Sequence, residues 1–302
     1  MARELRNIGA SIRARLLDRS RREGADFQNL LTRYALERLL YRLSVSAERD
    51  RFVLKGAMLF AAWLDDPFRP TGDLDLLGFG DDEVERIADT FRGICAIEAS
   101  DDGVIFDIDG LKANAIREGA DYGGVRVRTG ATIGGARVPI QIDIGFGDAI
   151  TPGTVELEYP TMLDGPAPRL RAYPVETVVA EKFEALVSLG LANTRMKDFY
   201  DLWLISRTFD FEGAGLSEAI RRTFERRRTN LPLEVPTGLS DTFAREKAGQ
   251  WRAFLRRERL ASAPDAFDEL IDGLRFFLLP ASSDFVRDQR WPAGGPWSQE
   301  RA

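Results

Sequence analysis

The sequence predicts an α+β fold with a mixed or antiparallel sheet, N-terminal helices and a C-terminal helical domain. Three observations predict it. Apolar residues recur at helical spacing before residue 50 and again after residue 174, while short β-branched or alternating runs punctuated by glycine fill residues 51–150. A Pro/Gly-rich stretch, 151–174, separates the two regimes. The 302 residues suffice for one large or two modest domains with a sizeable core.

Residues 1–50 are expected to form helices at 2–20 and 27–43 that pack on the core. Asp26 is a candidate N-cap for the second, since its carboxylate can accept the orphan amides of the first turn. Phe27, Leu30, Leu31, Tyr34 and Ala35 follow it at helical spacing. Within 51–150, strands are expected at Arg51–Leu54, Leu74–Leu77, Val104–Ile108, Val125–Thr129 and Val138–Ile144, with helices at 57–64 and 82–95. Residues 151–174, with Pro152, Pro160, Gly165, Pro166, Pro168 and Pro174, read as a connection. Residues 175–290 read as helices at 175–189, 196–209, 215–228, 240–259 and 265–277, and 291–302 as a flexible tail.

The chain contains no histidine, which removes His-activated nucleophiles, His acid/base chemistry and His metal ligation together. Its single cysteine, Cys95, allows neither an internal disulfide nor a cysteine zinc site. No run approaches the roughly 18 apolar residues of a membrane span, and the charged N-terminus lacks a signal-peptide core. A cytoplasmic protein without a membrane partner is expected. The net charge of -6 is uneven: residues 1–50 carry eleven Arg against seven acids, residues 51–200 fifteen basic against twenty-five acidic, and the remainder sixteen of each.

Chemistry concentrates first on Asp73-Leu74-Asp75-Leu76. Alternation along a strand puts Asp73 and Asp75 on one face, about 7 Å apart, and both leucines on the other. Such carboxylates repel unless a cation lies between them, and Mg²⁺ suits this role because it takes oxygen ligands and leaves positions for phosphate. The alternative is a solvated edge strand with two surface acids. Gly56 stands at a strand-to-helix junction, where backbone N–H groups can cradle phosphate. Asp143 adds a carboxylate on a later strand, and three such groups could hold two metals for in-line attack on phosphorus. Asp107 and Asp109 form a competing pair, read as a strand end before Gly110.

On a helical wheel Lys182 lies at the centre of the stripe Val175, Val178, Val179, Leu186 and Leu189. Asp198 lies within that of Leu202, Ile205 and Phe209, with Asp201 in reserve. Either the two form a buried salt bridge between helices, or Lys182 is a point cation for a triphosphate that Asp198 orients. Lys197 and Arg195 flank Asp198 and could contact phosphate or RNA. Arg221, Arg222, Arg226, Arg227 and Arg228, then Arg252, Arg256, Arg257 and Arg259, read either as a phosphate-tracking surface or as solvated helix faces balanced by acids such as Glu225 and Glu258.

Gly56-Ala57, Asp73-Leu74-Asp75 and the distant Asp143 resemble the DNA polymerase β-type nucleotidyltransferase pattern. The longer set, from Phe27-Gln-Asn-Leu-Leu-Thr-Arg-Tyr-Ala through Phe52-Val-Leu-Lys-Gly-Ala and Arg69-x-Thr-x-Asp-x-Asp to Lys197-Asp-Phe-Tyr-Asp-Leu, is similar to the AbiEii/AbiGii nucleotidyltransferase toxins, including the MenT-like group. The resemblance implies a polymerase β-like nucleotidyltransferase core and a toxin that moves NMP from NTP to an RNA acceptor, the tRNA 3′ end, blocking translation until a cognate antitoxin neutralises it. It implies Asp73, Asp75 and Asp143 as ligands of Mg²⁺ or Mn²⁺, with Asp143 as third ligand or general base. Lys182 and Asp198 join them as catalytic residues, and Lys55, Gly56, Ala57, Arg69, Thr71, Lys182 and Lys197 hold the nucleotide. One departure stands out: Ala57 replaces the usual second Gly or Ser, so a hydroxyl contact to phosphate is lost while backbone donors remain. The other readings are a nucleotidyltransferase of a protein or small-molecule hydroxyl, and a nucleotide-binding module without turnover.

Overall fold

The computed structural model describes residues 7–64, 71–99, 101–118, 122–260, 262–283 and 285–299. The chain divides into two compact units. The first comprises the chain to Gly147 together with Val155–Ala172, and the second comprises Asp148–Thr154 and the chain from Tyr173.

The first unit opens with helices α1 (Ile8–Glu23) and α2 (Phe27–Val45). Asp26 caps α2 as expected, its carboxylate accepting from the Asn29 amide at 2.9 Å. Then come β1 (Phe52–Lys55), α3 (Met58–Trp63), β2 (Asp73–Gly78), α4 (Val84–Ala96), β3 (Val104–Phe106), β4 (Lys112–Glu118), β5 (Tyr122–Ile133), β6 (Ala136–Phe146), β7 (Val155–Glu158) and β8 (Arg169–Ala172). These strands form one mixed sheet in the order β3-β5-β6-β2-β1-β8-β7, with β4 also paired to β5. The β2–β6 and β1–β8 pairs are parallel and the rest antiparallel. Gly134-Gly135, both at positive φ, close β5 and β6 in a two-residue hairpin loop, where the backbone twist matches that of the strands.

Three strands were not legible in advance. The β4 sequence KANAIRE has little strand propensity and owes its conformation to its pairing with β5. β7 and β8 lie inside the segment read as a connection, where prolines flank them rather than interrupt them.

Helices α1 and α2 pack on this sheet, with α2 against β6 and β8, and α4 packs against β4 and β5. Buried on most sides, α2 carries three charged residues into the interior: Glu37, Arg38 and Arg42. Each is answered. The Arg42 guanidinium pairs with Asp102 and donates to the Ile97 and Val104 carbonyls. Tyr34 donates to the Asp102 carbonyl at 2.9 Å, so α2 anchors the start of β3. Cys95 is buried in α4, and that burial pushes its thiol up to about 12, which leaves no thiolate for catalysis.

The second unit is built from α5 (Val175–Leu189), α6 (Met196–Thr208), β9 (Phe211–Glu212), α7 (Gly213–Arg226), α8 (Asp241–Glu258), α9 (Phe267–Ser282), β10 (Gln289–Trp291) and β11 (Ser298–Gln299). Phe199, Phe243, Trp251, Phe254 and Phe267 make its aromatic core, with ring centroids 5.1 to 6.1 Å apart. The C-terminal segment corrects the expectation of a flexible tail. β9, β10 and β11 form a small sheet, the Trp291 indole donates to the Ser206 carbonyl at 2.7 Å, and the Trp297 indole donates to that of Phe277 at 3.0 Å. The two tryptophans outweigh the Pro and Gly residues between them. Among the described residues no helix is long and apolar enough to cross a membrane.

Glu37 supplies a pH-dependent element of the first unit. It is 1% exposed, accepts from the Met162 amide at 2.7 Å, and lies 3.5 Å from Arg38, yet burial still pushes its carboxyl up to about 7. A folded-state value above the ordinary 4.5 makes the folded state bind the proton more tightly. The contribution is therefore complete below about pH 4.5 and is lost as pH rises through about 7. Thermal melts of the natural protein should show this decline, and Glu37→Gln, which keeps the acceptor without the charge, should flatten it over the same window.

Candidate active site

The burial pattern of β2 places its carboxylates. Leu74 and Leu76 are fully buried, so Asp73 and Asp75 turn to the opposite face, Asp73 exposed and Asp75 half-buried. Register then brings partners alongside. Antiparallel β1 sets Lys55 across from Asp75, parallel β6 sets Asp143 across from Asp75 and Gln141 across from Asp73, and antiparallel β5 sets Arg126 across from Asp143. A row Lys55, Asp75, Asp143, Arg126 therefore crosses four adjacent strands, about 4.8 Å apart, with cations at both ends.

The step from β1 to α3 is shaped around this row. Gly56 has φ +74, and a Cβ there would lie 2.1 Å from an Asp75 carboxylate oxygen and 2.6 Å from the Asp75 Cβ. Glycine is thus required twice, for the left-handed backbone and for the close approach of Asp75. Ala57 is buried and immediately precedes α3.

The oxygen donors of Asp73 and Asp75 suit a magnesium-type ion that takes its remaining ligands from substrate phosphates. Asp143 stands differently. Arg126 donates to it through Nε at 2.7 Å and through a terminal nitrogen at 2.6 Å, and Gln141 adds a contact at 3.4 Å. Among the described residues no group of three or more Asp, Glu or Cys side chains stands ready to hold a metal ion. Arg126 was missed on reading the sequence, although a signal existed. A two-residue Gly134-Gly135 loop pairs Ile133 with Ala136, and counting outward along both strands pairs Arg126 with Asp143.

In the helical unit Lys182 sits between two acids, its Nζ 2.7 Å from Asp198 and 2.8 Å from Asp201. The three side chains are 15%, 7% and 0% exposed, so the ammonium group satisfies two carboxylates that could not stand alone in the interior. Lys182 pairs with both Asp198 and Asp201. A second cluster that sequence reading missed lies nearby, where Arg227 meets Glu184 at 2.9 Å, Glu181 at 3.3 Å and Asp148 at 3.4 Å.

The remaining candidates divide. Thr71 is half-buried, its hydroxyl donating to the Asp73 carbonyl at 3.2 Å, and Lys197 is exposed. Arg69 lies outside the described residues. Asp107 ends the strand as expected, accepting from the Gly110 amide at 2.9 Å in the turn after β3. On α7 the arginines are largely spoken for: Arg221 and Arg222 both pair with Glu218, Arg221 also with Glu225, and hydrogen bonds from the two guanidinium groups hold the half-buried Glu218 carboxyl down at about 2. That is the balanced helix face rather than a run of unanswered charge.

Comparison with known proteins gives one extended sequence match. The family described as nucleotidyl transferase AbiEii toxin, type IV toxin–antitoxin system, matches residues 38–273. Two solved structures from Helicobacter pylori are similar in shape. JHP933 is 13% identical, with 86% of this chain and 97% of that chain covered and a TM-score of 0.46. A second protein, named as a nucleotidyltransferase, is 14% identical, with 82% and 98% covered and a TM-score of 0.42. No curated protein matches the sequence.

Two substitutions probe these arrangements. Gly56→Ala should cost about 1–3 kcal/mol in urea unfolding, from backbone strain and the displaced Asp75 side chain. Lys182→Met should cost more, about 3–5 kcal/mol by the same measurement, because it removes the cation from two buried carboxylates.

Proposed function

Since the chain belongs to the AbiEii nucleotidyltransferase toxin family, whose systems pair a toxin with an antitoxin, we propose that it transfers NMP from an NTP to an RNA acceptor, the 3′ end of tRNA, and so blocks translation in the cytoplasm. The observation that carries this reading is the charged row across β1, β2, β6 and β5, with Asp73 beside it. Transfer of this kind is mostly positioning and charge neutralisation, which a chain without histidine can supply.

In the proposed reaction the acceptor hydroxyl oxygen bonds to the α-phosphorus, the bond between the α-phosphorus and its bridging oxygen breaks, and pyrophosphate leaves. Asp73 and Asp75 hold Mg²⁺ or Mn²⁺, which when bound offsets phosphate charge and orients the reacting oxygens. Asp143 serves as third carboxylate or receives the hydroxyl proton. Lys55 and the backbone of Gly56 and Ala57 contact the phosphates, joined by Thr71 and by Arg69, which precede β2 in the sequence. In the helical unit Lys182 is the proposed cation for the triphosphate, steadied by Asp198 and Asp201, and Lys197 contributes from the surface.

Asp73→Ala and Asp75→Ala should each abolish transfer of label from NTP to tRNA while leaving the circular dichroism spectrum unchanged. Undiminished transfer by both variants would sink the assignment. Label appearing in protein or in a small molecule instead of RNA would move the acceptor and keep the chemistry.

A further inference from the structure

The Asp143 carboxylate is engaged at both oxygens by Arg126, whose Nε reaches Oδ1 at 2.7 Å while a terminal nitrogen reaches Oδ2 at 2.6 Å. The pair is sheltered, with the side chains 30% and 16% exposed. A guanidinium fork in this position takes one lone pair of each carboxylate oxygen and sets a positive charge where a hard cation would bind, and the same fork matches the geometry of a phosphate. Two competitions therefore meet at one pair of residues. A divalent cation competes with Arg126 for Asp143, and a triphosphate competes with Asp143 for Arg126. A cation that takes Asp143 costs Arg126 this fork, and a triphosphate that takes Arg126 removes the fork from Asp143. A cation and a triphosphate arriving together leave neither charge unanswered.

We propose that Arg126 is a positioning residue that withholds Asp143 from cation binding until the nucleotide triphosphate takes over its guanidinium. The proposal rests on reading the row as a nucleotidyl-transfer centre. It makes Asp73 and Asp75 the standing cation ligands and Asp143 a conditional one. By reciprocity of linked binding, nucleotide then tightens cation binding by the factor by which cation tightens nucleotide binding.

The test is a Mn²⁺ titration of the full chain without nucleotide, followed by electron paramagnetic resonance of the free ion. Arg126→Gln should bind Mn²⁺ about tenfold more tightly than the natural protein, the scale on which residues supporting metal ligands alter affinity. Arg126→Lys, which retains a charge but not the fork, should fall between them. Adding Asp143→Asn to Arg126→Gln should remove the gain. In steady-state transfer Arg126→Gln should raise the KM for NTP more than it lowers kcat. Equal Mn²⁺ affinity of the natural protein and Arg126→Gln, or a gain that survives Asp143→Asn, overturns the proposal. Should Arg126→Gln fail to fold, Arg126→Lys carries the same comparison. The nucleotidyl-transfer reading stands or falls separately, on label transfer by the natural protein.

Discussion

The two-residue period of β2 is the constraint on which the site depends. Leu74 and Leu76 are fully buried, and burying a leucine contributes about 1.5–3 kcal/mol, so the register that hides them is strongly preferred. A slip of one residue would turn both leucines outward and drive Asp73 and Asp75 into an apolar layer. The neighbouring strands inherit this choice. Ile142 and Ile144 are buried on β6 as the leucines are on β2, and the parallel pairing of these hydrophobic positions brings Asp143 beside Asp75. The row of carboxylates is thus held in place by apolar residues on the opposite face of the sheet.

Elsewhere among the described residues several sheltered charges come in sets. Arg42 is matched by Asp102, Lys182 by two aspartates, and Arg227 by three acids. Each set meets the rule that a buried charge must be paired and hydrogen-bonded, but such sets add less to net stability than apolar packing of equal volume would. What they add is geometry. Lys182 bound to two residues three positions apart on α6 can rotate little, and Arg42 ties α2 to the backbone at both ends of the 97–104 segment. Glu37 shows the limit of the rule, since an amide donor and a nearby arginine leave its carboxyl still raised by burial.

Much of this was legible from residue pattern because the signals were local. The Asp26 cap, the five long helices after residue 174, and the alternation at Asp73-Leu74-Asp75 each follow from a window of a few residues. The polar residues on apolar helix faces, Lys182 and Asp198, were legible for the same reason. What escaped was pairing. β4 exists because β5 lies beside it, β7 and β8 because β1 has an open edge, and Arg126 matters because of the strand opposite. The C-terminal strands escaped by a different route, since Pro and Gly were weighed above Trp291 and Trp297, whose area and indole donors tie the segment to Ser206 and Phe277.

The division of the chain has an implication for synthesis. The polypeptide passes from the first unit to the second after Gly147, returns for Val155–Ala172, and leaves again at Tyr173. The sheet's open edge at β1 waits for β8, which is made more than a hundred residues later. A ribosome-bound chain therefore carries every strand carboxylate of the row before it can complete the sheet that holds them, and the helix bearing Lys182 emerges later still. The order of emergence therefore keeps the carboxylate row without its finished sheet until Ala172 has left the ribosome.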